Sequence, residues 1–107
     1  MPFYEVAQRP QKELFRGVKI RTVYGEHIMM SFVYFDPHGV VPEHAHPHEQ
    51  SGTVLEGTFE LVIDGEKRQL TTGDAYVIPP NTPHSARAFD APAVALDIFH
   101  PPREEYK

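Results

Sequence analysis

From Val18 to Tyr24 the chain reads VKIRTVY, with apolar side chains alternating with polar ones. A period of two sends successive side chains to opposite faces, as a strand with one buried and one solvated face requires. Residues 27–35 (HIMMSFVYF) repeat the alternation less cleanly, with Ser31 interrupting the apolar run. Further extended runs cover residues 52–60, 61–63, 67–70, 75–78, 86–89 and 93–99. Turn signals separate them: Tyr24-Gly25, Asp36-Pro37, Asp64-Gly65, Thr72-Gly73-Asp74 and Pro79-Pro80-Asn81. Asp64-Gly65 predicts a tight hairpin, because both residues tolerate positive φ. A helical period of 3.6 is nowhere sustained; residues 11–15 suggest at most one turn of helix. Many short strands with regular punctuation predict an all-β sandwich or small barrel with little or no helix.

Length makes this a single domain over residues 1–107. Its barrel core is expected over about 17–100, with an N-terminal strand within 1–10 and a Pro-rich tail over 100–107. His100-Pro101-Pro102 cannot continue a central strand, so the tail should lie extended over the surface or against a partner. A domain of this size buries only about 60–70% of its unfolded surface, so a bound metal or a second subunit would add useful stability. The apolar fraction of 40% and charged fraction of 23% are those of an ordinary globular protein. The net charge of −5 and the scattering of ten Lys and Arg argue against nucleic acid and acidic membranes as partners. Absence of cysteine excludes disulfides, thiolate zinc sites and cysteine nucleophiles. No apolar signal core precedes Arg16, and the longest apolar stretch, residues 28–35, is too short to span a bilayer. The cytoplasm is the expected compartment.

Candidate chemistry is concentrated in PEHAHPHEQ, residues 42–50. On an extended segment His44 and His46 point to the same face, roughly 6–7 Å apart along the chain. Two imidazoles so placed can converge on one ion at metal–nitrogen distances of about 2 Å. Gln50 lies four residues further on. His84 follows the turn Pro79-Pro80-Asn81-Thr82-Pro83, which would return a later strand beside the first. Three imidazoles and an amide oxygen make a neutral ligand set, suited to one divalent ion such as Zn, Ni, Fe, Mn or Co. Glu49 is the rival to Gln50 for the fourth position.

This spacing resembles the cupin superfamily. Its first motif is matched by Gly39, His44, His46, Gln50 and Gly57, and its second by Gly73, Pro79, Asn81 and His84. Two departures stand out: Gln50 replaces the usual Glu, lowering the negative charge of the site, and Asn81 replaces a Gly at a turn. The resemblance implies a small cupin-type β-barrel (a double-stranded β-helix, or jelly roll) and a homodimer. A narrower likeness, in HPHEQ and in the tail from Asp97 to Tyr106, is to the pectin-degradation cupins, which open 4,5-unsaturated uronates to the linear keto acid. That likeness implies pocket roles for Asp97, Phe99 and Arg103: a proton relay, a wall against water and a fork for the substrate carboxylate.

Simpler readings apply to the other polar residues. His27, His38 and His100 read as surface or strand residues, His48 and Glu49 as surface residues or supports behind the ligands, and Glu43 as solvated. Tyr24, Met29, Met30, Phe32, Tyr34, Phe59 and Tyr76 read as barrel lining and core. Three function classes follow. The first is a metal-dependent enzyme acting on a small carbohydrate or keto acid by ring opening, tautomerisation or isomerisation. The second is a cupin dioxygenase using Fe or Mn, against which the neutral Gln50 counts. The third is a non-catalytic binding module for a sugar or other small molecule.

Overall fold

The computed structural model describes residues 2–107. Ten strands form two antiparallel sheets: β1 (Lys12–Phe15), β2 (Val18–Tyr24), β3 (Met29–Phe35), β4 (Val40–His44), β5 (Glu49–Glu56), β6 (Thr58–Ile63), β7 (Glu66–Thr71), β8 (Ala75–Ile78), β9 (His84–Ala88) and β10 (Ala93–His100). One sheet has the order β1-β2-β3-β10-β5-β8, the other β4-β9-β6-β7. Short 3-10 turns at Val6–Gln8 and Glu104–Tyr106 are the helical content among the described residues. Among the described residues no helix is long and apolar enough to cross a membrane. The all-β expectation therefore holds, as a two-sheet cupin-type sandwich.

The inner face of the six-stranded sheet is built in tiers. One tier is apolar: Ile20, Val33, Ala95 and Val54 lie in cross-strand register. The next is polar: Thr22, Ser31, Asp97, Gly52 and Tyr76 line up across five strands. The third holds Tyr24, Met29, Phe99, Gln50 and Ile78. From the opposing sheet, Phe59, Leu61 and Ala88 close the apolar tier. Phe59 stacks on Phe35 across the sandwich, with centroids 5.1 Å apart. Burial of these side chains supplies the main driving force for the fold.

Several expectations need correction. Residues 11–15 are not a helical turn: Lys12–Phe15 is an edge strand paired with β2, because cross-strand partners outweigh a weak local preference. Val40–His44 is a strand despite Pro42; it occupies the edge of its sheet, where a missing N–H costs no ladder bond. The break between β5 and β6 falls at Gly57, not after Glu60, and Gly57 takes φ +78° as the chain passes from one sheet to the other. Met30, Phe32 and Tyr34 alternate with the buried Met29, Ser31, Val33 and Phe35, so they lie on the outer face and do not line the interior. Among the described residues no strand forms before Lys12; Val6–Gln8 is a 3-10 turn. The tail does not run extended over the surface. It folds back so that Thr22 Oγ1 donates to the Tyr106 carbonyl at 3.1 Å, while Lys12 Nζ bonds the carbonyl of Lys107.

Candidate metal centre

His44 ends β4 and His84 opens β9, directly opposite in register. Their rings lie 4.3 Å apart between centroids. His46 sits in the loop that leads from β4 to β5, its ring 5.0 Å from that of His84 and 5.6 Å from that of His44. The turn before β9 is tied to this loop: Asn81, at φ +62°, donates its backbone N–H to the His46 carbonyl at 2.7 Å. One hydrogen bond thus couples the two sequence motifs. Asn accepts this left-handed conformation better than most residues, which explains its tolerance where Gly is usual.

The tautomers follow from the backbone. His44 Nδ1 donates to the Pro42 carbonyl at 2.9 Å, His46 Nδ1 to that of His48 at 3.1 Å, and His84 Nδ1 to that of Thr82 at 2.8 Å. A carbonyl only accepts, so each Nδ1 carries the proton and each neutral ring turns an Nε2 lone pair elsewhere. His84 Nε2 is buried with no partner. His46 Nε2 faces Gln50 Oε1 at 3.1 Å. The Gln50 amide also lies close enough to Asp97 to hold its pKa down against burial. His46 Nε2 and Gln50 Oε1 thus confront each other as two acceptors, an arrangement relieved by a cation between them. Ligands about 2.1 Å from one ion and at right angles to each other stand about 3.0 Å apart, so the spacing fits. The three imidazoles offer ligand atoms all within 4.8 Å of one another. The donor set thus fits a divalent metal of the kind bound by imidazole.

Electrostatics favours neutral rings. Burial, the charge of Arg103 and the neighbouring His84 together lower His46 to about 4. Burial lowers His84 as well, with His44 and Arg103 contributing. Both are thereby ready to act as ligands at neutral pH without first losing a proton. Gln50 is buried, whereas Glu49, its sequence rival, is exposed on the other face of β5. His48 lends its carbonyl to His46. His38 occupies a turn at φ +62° and the side chain of His27 is 76% exposed, as ordinary surface residues.

Asp97 and Phe99 share the inner face of β10. Burial pushes Asp97 up to about 6, against the pull of hydrogen bonds from Tyr76 and Gln50. Tyr76 donates its hydroxyl to Asp97 Oδ1 at 2.5 Å, and burial, followed by the Asp97 charge, raises its own pKa. Phe99 packs edge-on to His46 at 5.7 Å. Arg103 comes from the folded-back tail, its side chain only 11% exposed. Its guanidinium lies 4.2 Å from the Tyr106 ring centroid and 5.6 Å from that of Phe99. It donates to Glu105 at 2.8 Å and to the Tyr106 hydroxyl at 3.0 Å. His44, Gln50, His84, Asp97, Phe99 and Arg103 all line one cavity with about 50 Å³ of free space, and His46 borders it.

Sequence reasoning missed three members of this site. Tyr76 lines the barrel and packs on the core as expected, but its hydroxyl contact with Asp97 was not foreseen. Gly52 was read only as a strand residue and Ser31 only as a break in the apolar run, although the alternation along β3 already puts Ser31 on the face of Val33.

Comparison with known proteins agrees with this geometry. The Cupin domain family matches residues 31–99. The pectin degradation protein KdgF of Dickeya dadantii is 36% identical over 101 residues, 92% of each chain. The structure of KdgF from Halomonas sp. superposes with a TM-score of 0.92 at 32% identity, covering 100% of this chain and 99% of that one. An RmlC-like cupin from Shewanella frigidimarina superposes with a TM-score of 0.93 at 29% identity, covering 100% and 96%.

Proposed function

This chain belongs to the cupin family, and on that premise we propose that it is a metal-dependent enzyme that opens the ring of an unsaturated uronate or a closely related sugar acid. The observation that carries this reading is the set of three imidazoles whose Nδ1 atoms are all held by backbone carbonyls, with His44 and His84 lining one cavity with Asp97 and Arg103 and His46 at its edge against Phe99. The likeness to two pectin-degradation proteins supports the substrate class.

His44, His46, His84 and Gln50 would hold the ion, one of Zn, Ni, Fe, Mn or Co by the softness of the donors. Bound there, it supplies Lewis acidity toward a substrate oxygen. The rest of the work falls to the chain's own side chains. Arg103 binds the carboxylate through its planar fork, exchanging its bond to Glu105 for one to substrate. Phe99 and Tyr106 wall that end against water. Ring opening leaves an enol whose hydroxyl proton must reach carbon for the ketone to form. Asp97 carries it: a carboxyl near 6 can accept and return a proton at neutral pH. Tyr76 and Gln50 hold that carboxyl still. No electrons are gained or lost.

The test is anaerobic turnover of unsaturated galacturonate by the metal-loaded protein, with EDTA treatment and Asp97→Ala each expected to abolish it. Oxygen uptake with an enediol or flavonol would replace this reading with a dioxygenase. Thermal stabilisation by sugar acids with no turnover would replace it with a binding module.

We also read the protein as a homodimer. Met30, Ile98 and Val77 expose apolar surface on the outer face of the six-stranded sheet, at 36%, 37% and 60%. A second copy would cover them. Light scattering after size exclusion should give twice the 12.2 kDa chain mass; the monomer mass would refute the dimer.

A further inference from the structure

Within the polar tier of the cavity, the hydroxyl groups are not equally employed. Thr22 Oγ1 donates to the Tyr106 carbonyl and Tyr76 donates to Asp97. Ser31, between Thr22 and Asp97 in the same register, is 0% exposed and its Oγ has no hydrogen-bond partner. It lines the cavity that holds the histidines, Asp97 and Arg103. A buried hydroxyl left unpaired opposes folding, since it loses its bonds to water and gains none. Alanine would fit the same space without that penalty. A polar group kept in such a place acts on what enters the cavity.

We propose that Ser31 is a specificity-determining residue, its hydroxyl pairing with a hydroxyl group of a polyhydroxylated acid whose carboxylate is held by Arg103. This deepens the reading above and rests on it for the carboxylate contact. The placement supports the pairing. Ser31 flanks Asp97 on the β3 side, while Gly52 and Tyr76 flank it on the β5 and β8 side. The tail that carries Arg103 is anchored beside Ser31, through the bond from Thr22 to the Tyr106 carbonyl. A guest held by Arg103 therefore meets Ser31 on the side of Asp97 that the protein's own groups leave free. Serine can donate one hydrogen bond and accept two, so it matches a sugar hydroxyl in either sense and has no match for an apolar ring. A site with such a group disfavours analogues lacking the hydroxyl, because the buried group then stays unpaired.

The experiment compares the metal-loaded protein with its Ser31→Ala variant. Three quantities are read: the melting temperature without ligand, the stabilisation by D-galacturonate against that by hydroxyl-free cyclohexanecarboxylate, and KM for unsaturated galacturonate. The expected result is a variant that melts at or above the wild-type temperature. It should lose most of the stabilisation by galacturonate and keep its weaker response to the hydroxyl-free acid. Its KM should rise about tenfold, the worth of one lost hydrogen bond. Ser31→Thr, which keeps the hydroxyl, should recover part of the galacturonate response. A variant that melts lower and binds galacturonate as tightly as wild type would show a structural hydroxyl and overturn the proposal, while leaving the enzymatic reading intact. Ser31-dependent binding of galacturonate by a protein that turns nothing over would uphold the role of Ser31 and refute the enzymatic reading. Failure of galacturonate to stabilise the wild type would overturn the proposal outright.

Discussion

Tyr76 reaches Asp97 through a gap left by the side chain that Gly52 lacks. The three face one another across β8, β5 and β10. A Cβ at position 52 would overlap both Asp97 Oδ1 and the Tyr76 phenol. Gly52 has no positive φ to justify it; its role is to admit the hydroxyl–carboxylate contact that steadies Asp97.

Gly52→Ala should therefore displace the pair. Overpacking of this kind costs about 1–3 kcal/mol, read as a lower midpoint in urea denaturation. In Tyr76→Phe the hydroxyl is already gone. If the displaced hydroxyl carries part of the cost, adding Gly52→Ala to that variant will cost less than it does in wild type. Strict additivity would mean that position 52 acts on something else.

Removal of two proposed ligands, as in His44→Ala with His84→Ala, should lower metal content from one per chain to near zero by elemental analysis. The melting temperature of the protein as purified should fall with it, because metal binding energy adds to folding energy. EDTA should then lower the melting temperature of wild type but not of the variant. Stoichiometric metal in the double variant would refute the ligand assignment.

Acid should destabilise the metal-free protein through its histidines. Burial holds His46 down at about 4 when folded, against the usual 6.5 of an imidazole. Between those values the unfolded chain takes up a proton that the folded chain refuses, so stability falls as pH drops from about 6.5 toward 4. His84 is shifted in the same direction. Asp97, at about 6 when folded against 3.8, works the other way: the folded chain keeps a proton that the unfolded chain releases, and this offsets part of the loss over that window. Melting curves of metal-free Asp97→Asn should consequently fall more steeply between pH 7 and 4 than wild type, and those of His46→Ala less steeply. Parallel curves for all three would contradict these shifts.

Arg103→Lys keeps the charge but loses the planar fork. It should raise KM for a uronate by roughly tenfold to a hundredfold, with a smaller change in kcat, because the proposed carboxylate contact would be made before and during the reaction. Asp97→Asn should do the reverse, lowering kcat with little effect on KM. An Arg103→Lys variant with wild-type KM would place the carboxylate elsewhere.

Phe59→Ala should cost about 3–5 kcal/mol, as a stacked aromatic in the centre of the sandwich is lost and a cavity is left. Equilibrium denaturation gives this directly. A cost below about 1 kcal/mol would mean that the sheets close over the gap.

The strands, most of the turns and the ligand candidates could be read from order along the chain. Strand alternation has a period of two wherever one face is buried, so Val18–Tyr24 and Ala75–Ile78 announced their own ends. The histidine spacing announced a shared centre, since His44 and His84 lie in segments whose turns bring them back together. Local sequence could not identify Val40–His44 as a strand, because an edge position excuses Pro42 and edge positions exist only once a sheet is assembled. Nor could it show that the tail from Arg103 to Tyr106 folds into the cavity mouth, a placement set by Thr22, which is 84 residues distant from Tyr106. The sequence by itself determined an all-β domain with an imidazole-rich site, because periodicity and spacing are properties of neighbours in the chain. Only the tertiary structure decided that Ser31, Gly52, Tyr76 and Asp97 form one tier, because cross-strand register joins residues that the chain keeps far apart.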